Sequence, residues 1–268
     1  MSFSIAGKTA IVTGAAFGVG RAIARHFAEQ GANVMCADMD EEELARELGD
    51  TTEEGNIRWF AGDLREKLAI ANLLSATIDA FDRVDILVNA ARQVLVSDPL
   101  NADDDAVETL LQQNLIATLR LSQLIARRMV HQAEEADEEE GMAGSIINLS
   151  SIAAHRTNPC LLAYSVSTAA LDQMTRSLAV ALAPRRIRVN AVAFGSVMSA
   201  SLQKALKDEP EQRDDIIAHT PLGRIAEAGE VAEAVQFLAS PGAGFITGEI
   251  LTLDGGRSLL DPVVAPVH

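Results

Sequence analysis

Residues 13–20, Thr13-Gly14-Ala15-Ala16-Phe17-Gly18-Val19-Gly20, form the glycine-rich turn that decides the predicted fold. An apolar run at 9–13 precedes the turn and is typical of a buried strand, and a helical pattern begins at residue 18. Glycines between a strand and a helix permit a tight turn, and the unpaired amides at the start of the helix attract an anion. The segment therefore predicts a cradle for the pyrophosphate of a dinucleotide rather than a purely structural turn.

Short apolar runs alternate with longer helical patterns along the rest of the chain. Strands are predicted at 9–13, 33–38, 57–61, 84–89, 145–149, 187–193 and 249–253. Helices are predicted at 18–30, 65–81, 104–131, 162–183 and 230–239, with a further helix between the second and third strands. This alternation is typical of βαβ units, and no break in composition divides the chain. It predicts a parallel sheet in a single α/β domain over residues 1–268.

The composition argues against several classes of partner. The chain has 38 Asp and Glu residues against 22 Lys and Arg, and the resulting net charge of −16 repels nucleic acids and anionic membrane surfaces. No apolar run approaches the about 18 residues of a membrane span, and the N-terminus lacks the pattern of a secretory leader, so we expect a cytoplasmic protein. Cys36 and Cys160 lack the spacing of a metal site, so we expect no metal and two buried thiols.

One acidic segment interrupts the rhythm of strands and helices. Residues 134–140 carry six acidic side chains in seven positions. Like charges at this density repel one another and cannot be buried, which predicts a solvated, mobile loop at about 132–143. The alternative is an acidic loop that binds a partner.

Asp38 is the second candidate for cofactor binding. It ends the predicted second strand, 18 residues after Gly20, where a carboxylate can bind an adenosine ribose hydroxyl and would repel a 2′-phosphate. No Arg or Lys stands within the glycine turn or directly after Asp38. The sequence thus favours NAD over NADP. The alternative role of Asp38 is a helix N-cap before Glu41, and the two roles are compatible.

Further motifs stand in register with the glycine turn. Asp63-Leu64 follows the third strand, Asn89-Ala90-Ala91 ends the fourth, and Ser151 in Ile147-Asn148-Leu149-Ser150-Ser151 lies 13 residues before Tyr164. Asn190-Ala191-Val192 and Leu253-Asp254-Gly255-Gly256 mark the late strands. On these residues the chain resembles the short-chain dehydrogenase/reductase family over nearly its whole length. The resemblance implies one doubly wound Rossmann domain with a seven-stranded, mostly parallel sheet and helices on both faces.

The resemblance also implies roles for individual residues. Tyr164 would transfer the substrate proton, Ser151 would polarise the substrate oxygen, and Asn114 would support a water relay. The cofactor would contact Gly14, Phe17, Gly18, Val19, Gly20, Asp38, Met39, Asp63, Leu64, Asn89, Ala90, Ala91, Tyr164, Gly195 and Val197. Asn114 stands among leucines in the predicted long helix. A buried amide needs partners, so we expect it both to bend the helix and to join the relay.

One departure from the family pattern concerns the proton transfer itself. The family places a lysine four residues after the tyrosine, where it binds the nicotinamide ribose and favours the phenolate; here the position holds Thr168. A tyrosine ordinarily titrates at about 10, and a cation about 5 Å away contributes roughly 3 kcal/mol at a dielectric of about 20. Losing that charge slows proton transfer by roughly one to two orders of magnitude unless another group supplies it.

Two further departures fall at the ends of strands. Arg92 replaces the final glycine of the strand-four motif, and Phe194 stands where the family usually has a proline. Ligands bind at this edge of the sheet, so Arg92 is a candidate for the missing cation, reaching the nicotinamide ribose. The alternative is an arginine on a surface loop. His155 and Arg156 are other cations, on a loop that either borders the substrate or is merely solvated.

Two hypotheses of different class follow. The first is an NAD-dependent oxidoreductase that interconverts a secondary alcohol and a ketone, either through Tyr164 or through another relay at Arg92 or His155. The second is an NAD-binding protein that lost this activity with the lysine and acts as a sensor or oligomer partner. The resemblance also implies a lid at about 196–222 and a homotetramer. The apolar residues of that lid suit a mid-sized alcohol such as a hydroxyacyl, sugar-derived or steroid-like compound.

Overall fold

A seven-stranded parallel sheet forms the centre of the computed structural model, which describes residues 2–49, 55–136, 140–198, 202–203, 206–207 and 211–261. The strands are β1 (Thr9–Thr13), β2 (Asn33–Asp38), β3 (Ile57–Ala61), β4 (Ile86–Asn89), β5 (Gly144–Ser151), β6 (Ile187–Phe194), β7 (Val197–Met198), β8 (Ala226–Glu227) and β9 (Ile250–Leu253). The sheet runs β3-β2-β1-β4-β5-β6-β9, and each neighbouring pair is parallel. The strands β7 and β8 pair separately. The predicted doubly wound sheet is confirmed.

Helices cover both faces of the sheet. They are α1 (Gly18–Glu29), α2 (Glu41–Leu48), α3 (Lys67–Phe81), α4 (Ala106–Leu110), α5 (Ala117–Glu135), α6 (Leu162–Leu182), α7 (Glu211–Ala218) and α8 (Ala228–Ala239). Successive strand residues point to opposite faces. In β1, Ala10 and Val12 pack with Phe27 of α1, whereas Ile11 packs in a second cluster with Ile125 of α5. The two clusters bury the sheet on both sides, which explains its nearly continuous apolar strands.

Several sequence-based boundaries and environments were wrong. The long helix predicted at 104–131 is interrupted by a π-helical turn, Leu111–Ile116, and continues to Glu135. Glu134 and Glu135 therefore belong to α5 rather than to a loop, because a solvated helix end tolerates them and Arg185 lies 3.5 Å from Glu134. Residues 137–139 of the predicted acidic loop lie outside the described residues, whereas residues 140–143 are described and lead into β5. Cys160 is exposed rather than buried, while Cys36 is buried as expected.

The described part of the predicted lid contains the helix α7, and its residues 202–203 and 206–207 are also helical. Positions 199–201, 204–205 and 208–210 of that segment lie outside the described residues. The lid therefore stays a prediction.

A chain of buried polar side chains crosses the middle of the sheet. The amide nitrogen of Asn89 at the end of β4 donates to Ser122 of α5 at 3.0 Å and to the Asn148 carbonyl oxygen of β5 at 2.8 Å. Asn148 in turn donates to the hydroxyl of Thr175 on α6 at 2.9 Å. All four side chains are buried. This network ties the two strands nearest the site to the helices that cover them.

The buried face of α6 carries three polar residues at four-residue intervals, Tyr164, Thr168 and Asp172. The Asp172 side chain is only 2% exposed, with Nε2 of His155 3.3 Å from Oδ2. Burial raises the pKa of the Asp172 carboxyl, and the nearby Ser150 hydroxyl and the charges of His155 and Arg176 only partly oppose it. Sequence reasoning did not identify this acid, because a single Asp in a helical pattern resembles any exposed residue.

The raised pKa predicts that Asp172→Asn stabilises the protein at neutral and alkaline pH. Because the folded chain holds the Asp172 proton more tightly than the unfolded chain, ionisation at this position costs stability above its folded-state pKa. Removing that charge should add about 1 kcal/mol at pH 8, or about 3 °C in Tm. The gain should shrink as the pH falls towards the ordinary carboxyl range.

Thermal unfolding of both proteins between pH 5 and pH 8 measures this effect, with the exposed Asp79→Asn on α3 as the control. A lower Tm of Asp172→Asn at pH 8 would show instead that the carboxylate is net stabilising through its neighbours.

Candidate active site

The glycine turn lies directly against the end of β4. Gly14 has φ of +66°, and a Cβ there would lie 2.8 Å from Cα of Ala91. The Thr13 hydroxyl oxygen accepts hydrogen bonds from the backbone amides of Ala90 and Ala91, each at 3.0 Å. A Cβ on Gly20 would collide with the carbonyl oxygen of Gly14. Both glycines are therefore required by close backbone approach, and Thr13 was missed because a strand threonine carries no distinctive pattern.

A cleft of about 480 Å³ opens above this turn. It brings together the predicted cofactor residues Gly14, Phe17, Gly18, Val19, Gly20, Asp38, Met39, Asp63, Leu64, Ala90 and Ala91. Arg92 lines it too, together with residues that the sequence analysis did not identify: Gly62, Gln93, Val94, Gln113 and Leu149. Nothing in their chemistry singled these five out, since they join the cleft only through the fold.

Asp38 supports the glycine turn as well as facing the cleft. Its Oδ2 accepts from the backbone amide of Ala16 at 3.1 Å, and its Oδ1 accepts from Met39 and Asp40 at 2.8 and 3.2 Å. The alternative of Asp38 as a helix N-cap is wrong: Asp40 caps α2, accepting from the amide of Glu43 at 3.0 Å. Asp38 instead stands at the strand end, two residues before that cap.

Asp63, on the other wall of the cleft, is paired with an arginine. Arg65 makes a bidentate contact with it, with its Nη2 2.6 Å and its Nε 2.9 Å from Oδ2. This hydrogen bonding by Arg65 holds the pKa of Asp63 below its usual range, against a smaller opposing effect of burial. Arg21, directly after Gly20, is likewise 3.2 Å from Glu43 and 3.0 Å from Glu47 of α2. Arg21 and Arg65 are thus both engaged with carboxylates.

Four residues named as cofactor contacts do not line this cleft. Asn89 and Tyr164 border a neighbouring small cavity of about 10 Å³. The Asn89 amide is committed to Ser122 and Asn148, so a direct cofactor contact of its side chain stays a prediction. Gly195 directly follows β6, and Val197 begins β7; their cofactor contacts are also untested predictions.

Ser151 and Tyr164 meet the same carboxyl edge of the sheet. Ser151 ends β5 and opens a 3₁₀ turn, where its hydroxyl oxygen accepts from the amide of Ala153 at 3.1 Å. Tyr164 lies in the first turn of α6 and is 4% exposed. One arginine nitrogen, Nη1 of Arg92, contacts both the Tyr164 hydroxyl and the carbonyl of Ser150. The two predicted catalytic hydroxyls therefore belong to one small region.

Asn114 lies inside the π-helical turn and is buried. Its carbonyl oxygen accepts from the amide of Gln93 at 2.9 Å, and its amide nitrogen donates to the Gln93 carbonyl at 2.9 Å and to Ser167 at 3.3 Å. A π turn inside an α-helix is frequent at functional sites. Asn114 therefore fixes the loop after β4 against α6, and its place at a break in the helix fits the expected bend.

Arg92 is half-buried and points into the site. Its Nη1 donates to the Tyr164 hydroxyl oxygen at 3.0 Å and to the Ser150 carbonyl at 3.1 Å. Its guanidinium carbon lies 4.2 Å from the centre of the Phe194 ring. The alternative of an arginine on a surface loop is thus contradicted.

The contacts of Thr168 and His155 are with groups other than the Tyr164 hydroxyl. The Thr168 hydroxyl donates to backbone carbonyls of its own helix, Tyr164 at 2.9 Å and Ser165 at 3.2 Å. His155 pairs with Asp172, and Arg156 is exposed. A separate cavity of about 740 Å³ lies beside the end of β9. Among the described residues of 196–222, it is lined by Ser196, Thr220, Pro221 and Leu222.

The residues of the cleft fit a nicotinamide dinucleotide. The close contacts at Gly14 and Gly20 leave the start of α1 free of Cβ atoms, which suits the approach of a pyrophosphate to backbone amides. Asp38 lines the cleft at the end of the adjacent strand, where a carboxylate suits hydrogen bonding to a ribose hydroxyl. No described helix is both long and apolar enough to cross a membrane.

Comparisons with known proteins agree with this geometry. A family model described as enoyl-(acyl carrier protein) reductase matches residues 14–258. The chain is 34% identical to the 3-oxoacyl-(acyl-carrier-protein) reductase of Vibrio cholerae, over 96% of this chain and 100% of that protein. It is 32% identical to the 7alpha-hydroxysteroid dehydrogenase of Escherichia coli K12, over 93% of this chain and 94% of that one.

A solved structure shows the same likeness at the level of the fold. The structure of gox2181 superposes with a TM-score of 0.85 at 30% identity, covering 96% of this chain and 98% of that chain. The Rossmann sheet, the matching motifs and these relatives together establish the protein family. The chain belongs to the short-chain dehydrogenase/reductase family of oxidoreductases, whose members use NAD or NADP.

Proposed function

We propose that this protein interconverts a secondary alcohol and a ketone with NAD. The observation that carries the proposal is the buried Tyr164 hydroxyl, which lies beside the dinucleotide cleft and shares one arginine contact with the end of β5, where Ser151 stands. A hydroxyl in this position can exchange a proton with a substrate oxygen.

In the oxidation direction, the deprotonated Tyr164 oxygen takes the hydroxyl proton of the alcohol while the C–H bond breaks, and in the reduction direction the Tyr164 hydroxyl gives that proton to the carbonyl oxygen. Ser151 donates a hydrogen bond to the substrate oxygen and holds it in place as the carbonyl forms. A nicotinamide ring, when bound, supplies the acceptor for the hydride and donates it in the reverse direction. Asn114 keeps Gln93 and the loop after β4 at a fixed distance from α6.

The preference for NAD is supported by the charges around the cleft. Asp38 lines the cleft beside the glycine turn, where its carboxylate would meet an adenosine ribose, and Arg21 and Arg65 are each already paired with acidic side chains. A 2′-phosphate would meet the carboxylate and would have to compete for those paired arginines.

We expect Asp38→Ser to weaken NADH binding about tenfold or more, because a hydrogen bond to a charged group contributes about 1.5–3 kcal/mol. NADPH binding should be unchanged or stronger, since the repulsion is removed. Nicotinamide fluorescence titrations of the wild type and the variant measure both dissociation constants. Because Asp38 also bonds Ala16, an equal loss for both cofactors would mean that it only supports the glycine turn.

We expect Tyr164→Phe to lower kcat by about 10²–10⁴-fold and Ser151→Ala by about 10²–10³-fold. Both variants should keep wild-type affinity for NADH. Nicotinamide absorbance measures turnover with 3-oxoacyl thioesters, hydroxysteroids and sugar alcohols as the substrate panel. The control is Ser177→Ala on the exposed face of α6. Full activity of Tyr164→Phe would remove the tyrosine from the mechanism.

The rival function is an NAD-binding protein without dehydrogenase activity. It is favoured by Thr168, which is uncharged and bonded only to carbonyls of its own helix. Tight NADH binding without turnover of any alcohol or ketone in the panel would support this rival over the enzyme.

We also propose a homotetramer built on α5, α6 and β9, by analogy with the family. In support, β9 is an edge strand of the sheet, and α6 exposes Val166 and Val180. Light scattering coupled to size exclusion should give four times the monomer mass. A monomer at micromolar concentration would contradict the assembly. A cytoplasmic location likewise stays a prediction.

A further inference from the structure

The residue at the lysine position cannot serve the tyrosine electrostatically. Thr168 is buried, and its hydroxyl hydrogen bonds are made to the carbonyls of Tyr164 and Ser165. A charge-stabilising group at Tyr164 must therefore come from another part of the structure.

Arg92 reaches the Tyr164 hydroxyl from the opposite direction, from the loop after β4. Three contacts made by three different elements fix its guanidinium: the Tyr164 hydroxyl at 3.0 Å, the Ser150 carbonyl at 3.1 Å and the Phe194 ring at 4.2 Å. A planar group that lies flat on an aromatic face and a rigid fork of donors are properties of arginine that lysine lacks. The position of the charge is thus determined by β5, α6 and β6 together.

The two departures at strand ends explain one another. Phe194 supplies the ring that the Arg92 guanidinium covers, and its own side chain is buried at the end of β6. A proline there would offer no π face, and a glycine at 92 would offer no cation. We propose that Arg92, held by Phe194, replaces the missing lysine as the cation that stabilises the negative charge of the Tyr164 oxygen during proton transfer. This inference rests on the proposed function.

The hydrogen-bond polarity suits this role. A guanidinium only donates, so the Tyr164 oxygen accepts from Arg92 and its own proton is left to point elsewhere. A guanidinium is not deprotonated in proteins. The stabilisation therefore persists when the tyrosine proton has left, which is the moment at which it is needed.

Arg92 is the charged side chain that acts most directly on the Tyr164 oxygen. Among the residues that line the small cavity at Tyr164, only Arg92 is charged. From the turn after β5, His155 is directed at Asp172 of α6, so these two partly satisfy each other. Glu108 of α4, Arg156 and Arg176 are exposed. The buried Arg188 of β6 donates instead to the backbone carbonyl oxygens of Leu238 and Ser240.

Tyr164 is the only tyrosine of the chain, which allows a test without substrate or cofactor. The near-ultraviolet absorbance of tyrosinate reports Tyr164 alone, with Tyr164→Phe as the blank. We expect Arg92→Met to require a higher pH than the wild type for tyrosinate to appear, and Arg92→Lys to fall between them. Phe194→Leu should shift the signal in the same direction as Arg92→Met, because Phe194 is a positioning residue for the guanidinium.

Kinetics supply the second readout. Arg92→Met should lower kcat/KM for alcohol oxidation by about 10–100-fold at neutral pH and move its acidic limb to higher pH. Thr168→Lys should restore activity in the Arg92→Met background and give no gain in the wild type, where the charge is already present. Arg127→Met, exposed on α5, is the matched control, and circular dichroism checks the fold of each variant.

The outcomes separate this inference from the proposed function. A wild type that binds no nicotinamide dinucleotide and turns over no substrate defeats the proposed function, while the tyrosinate titration still judges the contact between Arg92 and Tyr164. An active wild type whose titration and pH profile are unchanged in folded Arg92→Met defeats the inference alone. An equal gain from Thr168→Lys in both backgrounds would also contradict it.

Discussion

The structure depends on the close approach of the glycine turn to the end of β4. Gly14 lies against Ala91, and Thr13 accepts hydrogen bonds from two successive amides beyond β4. Strands β1 and β4 are neighbours in the sheet, and the chain winds away from them in opposite directions, towards β3 and towards β9. Such a switch point opens a crevice at the carboxyl ends of the strands. The position of the cofactor cleft and the positions of the candidate catalytic hydroxyls both follow from the position of this crevice.

Much of the fold could be predicted because its signals are local. The buried strands, the glycine turn and the spacing from Ser151 to Tyr164 are all written in short stretches of sequence. The errors share a different cause. Whether Asp38 or Asp40 caps α2 depends on where the chain turns after β2, and the exposure of Cys160 depends on tertiary packing. The π turn and the burial of Asp172 likewise arise from contacts between elements.

The candidate site shows the same division. Sequence reasoning identified Arg92, Phe194 and Thr168 as departures and expected Arg92 to reach a ribose, but it did not predict the contact of Arg92 with the Tyr164 hydroxyl. The contact joins residues 72 positions apart in sequence, and no periodicity encodes such a meeting. In this structure the loop after β4 lines the cofactor cleft and also touches Tyr164. One short segment thus connects the two halves of the site, which in the family pattern are connected through the lysine at the position of Thr168 on α6.

The buried chain of Asn89, Asn148, Ser122 and Thr175 has a consequence for how the sheet assembles. The central strands are apolar on both faces, so hydrophobic burial alone discriminates poorly between alternative strand alignments. A shift of β4 against β5 by a single residue would break the hydrogen bond between Asn89 and Asn148 in a dry interior. These side chains therefore select one alignment of β4 and β5. Their effect on which strand register forms is larger than their contribution to the free energy of unfolding.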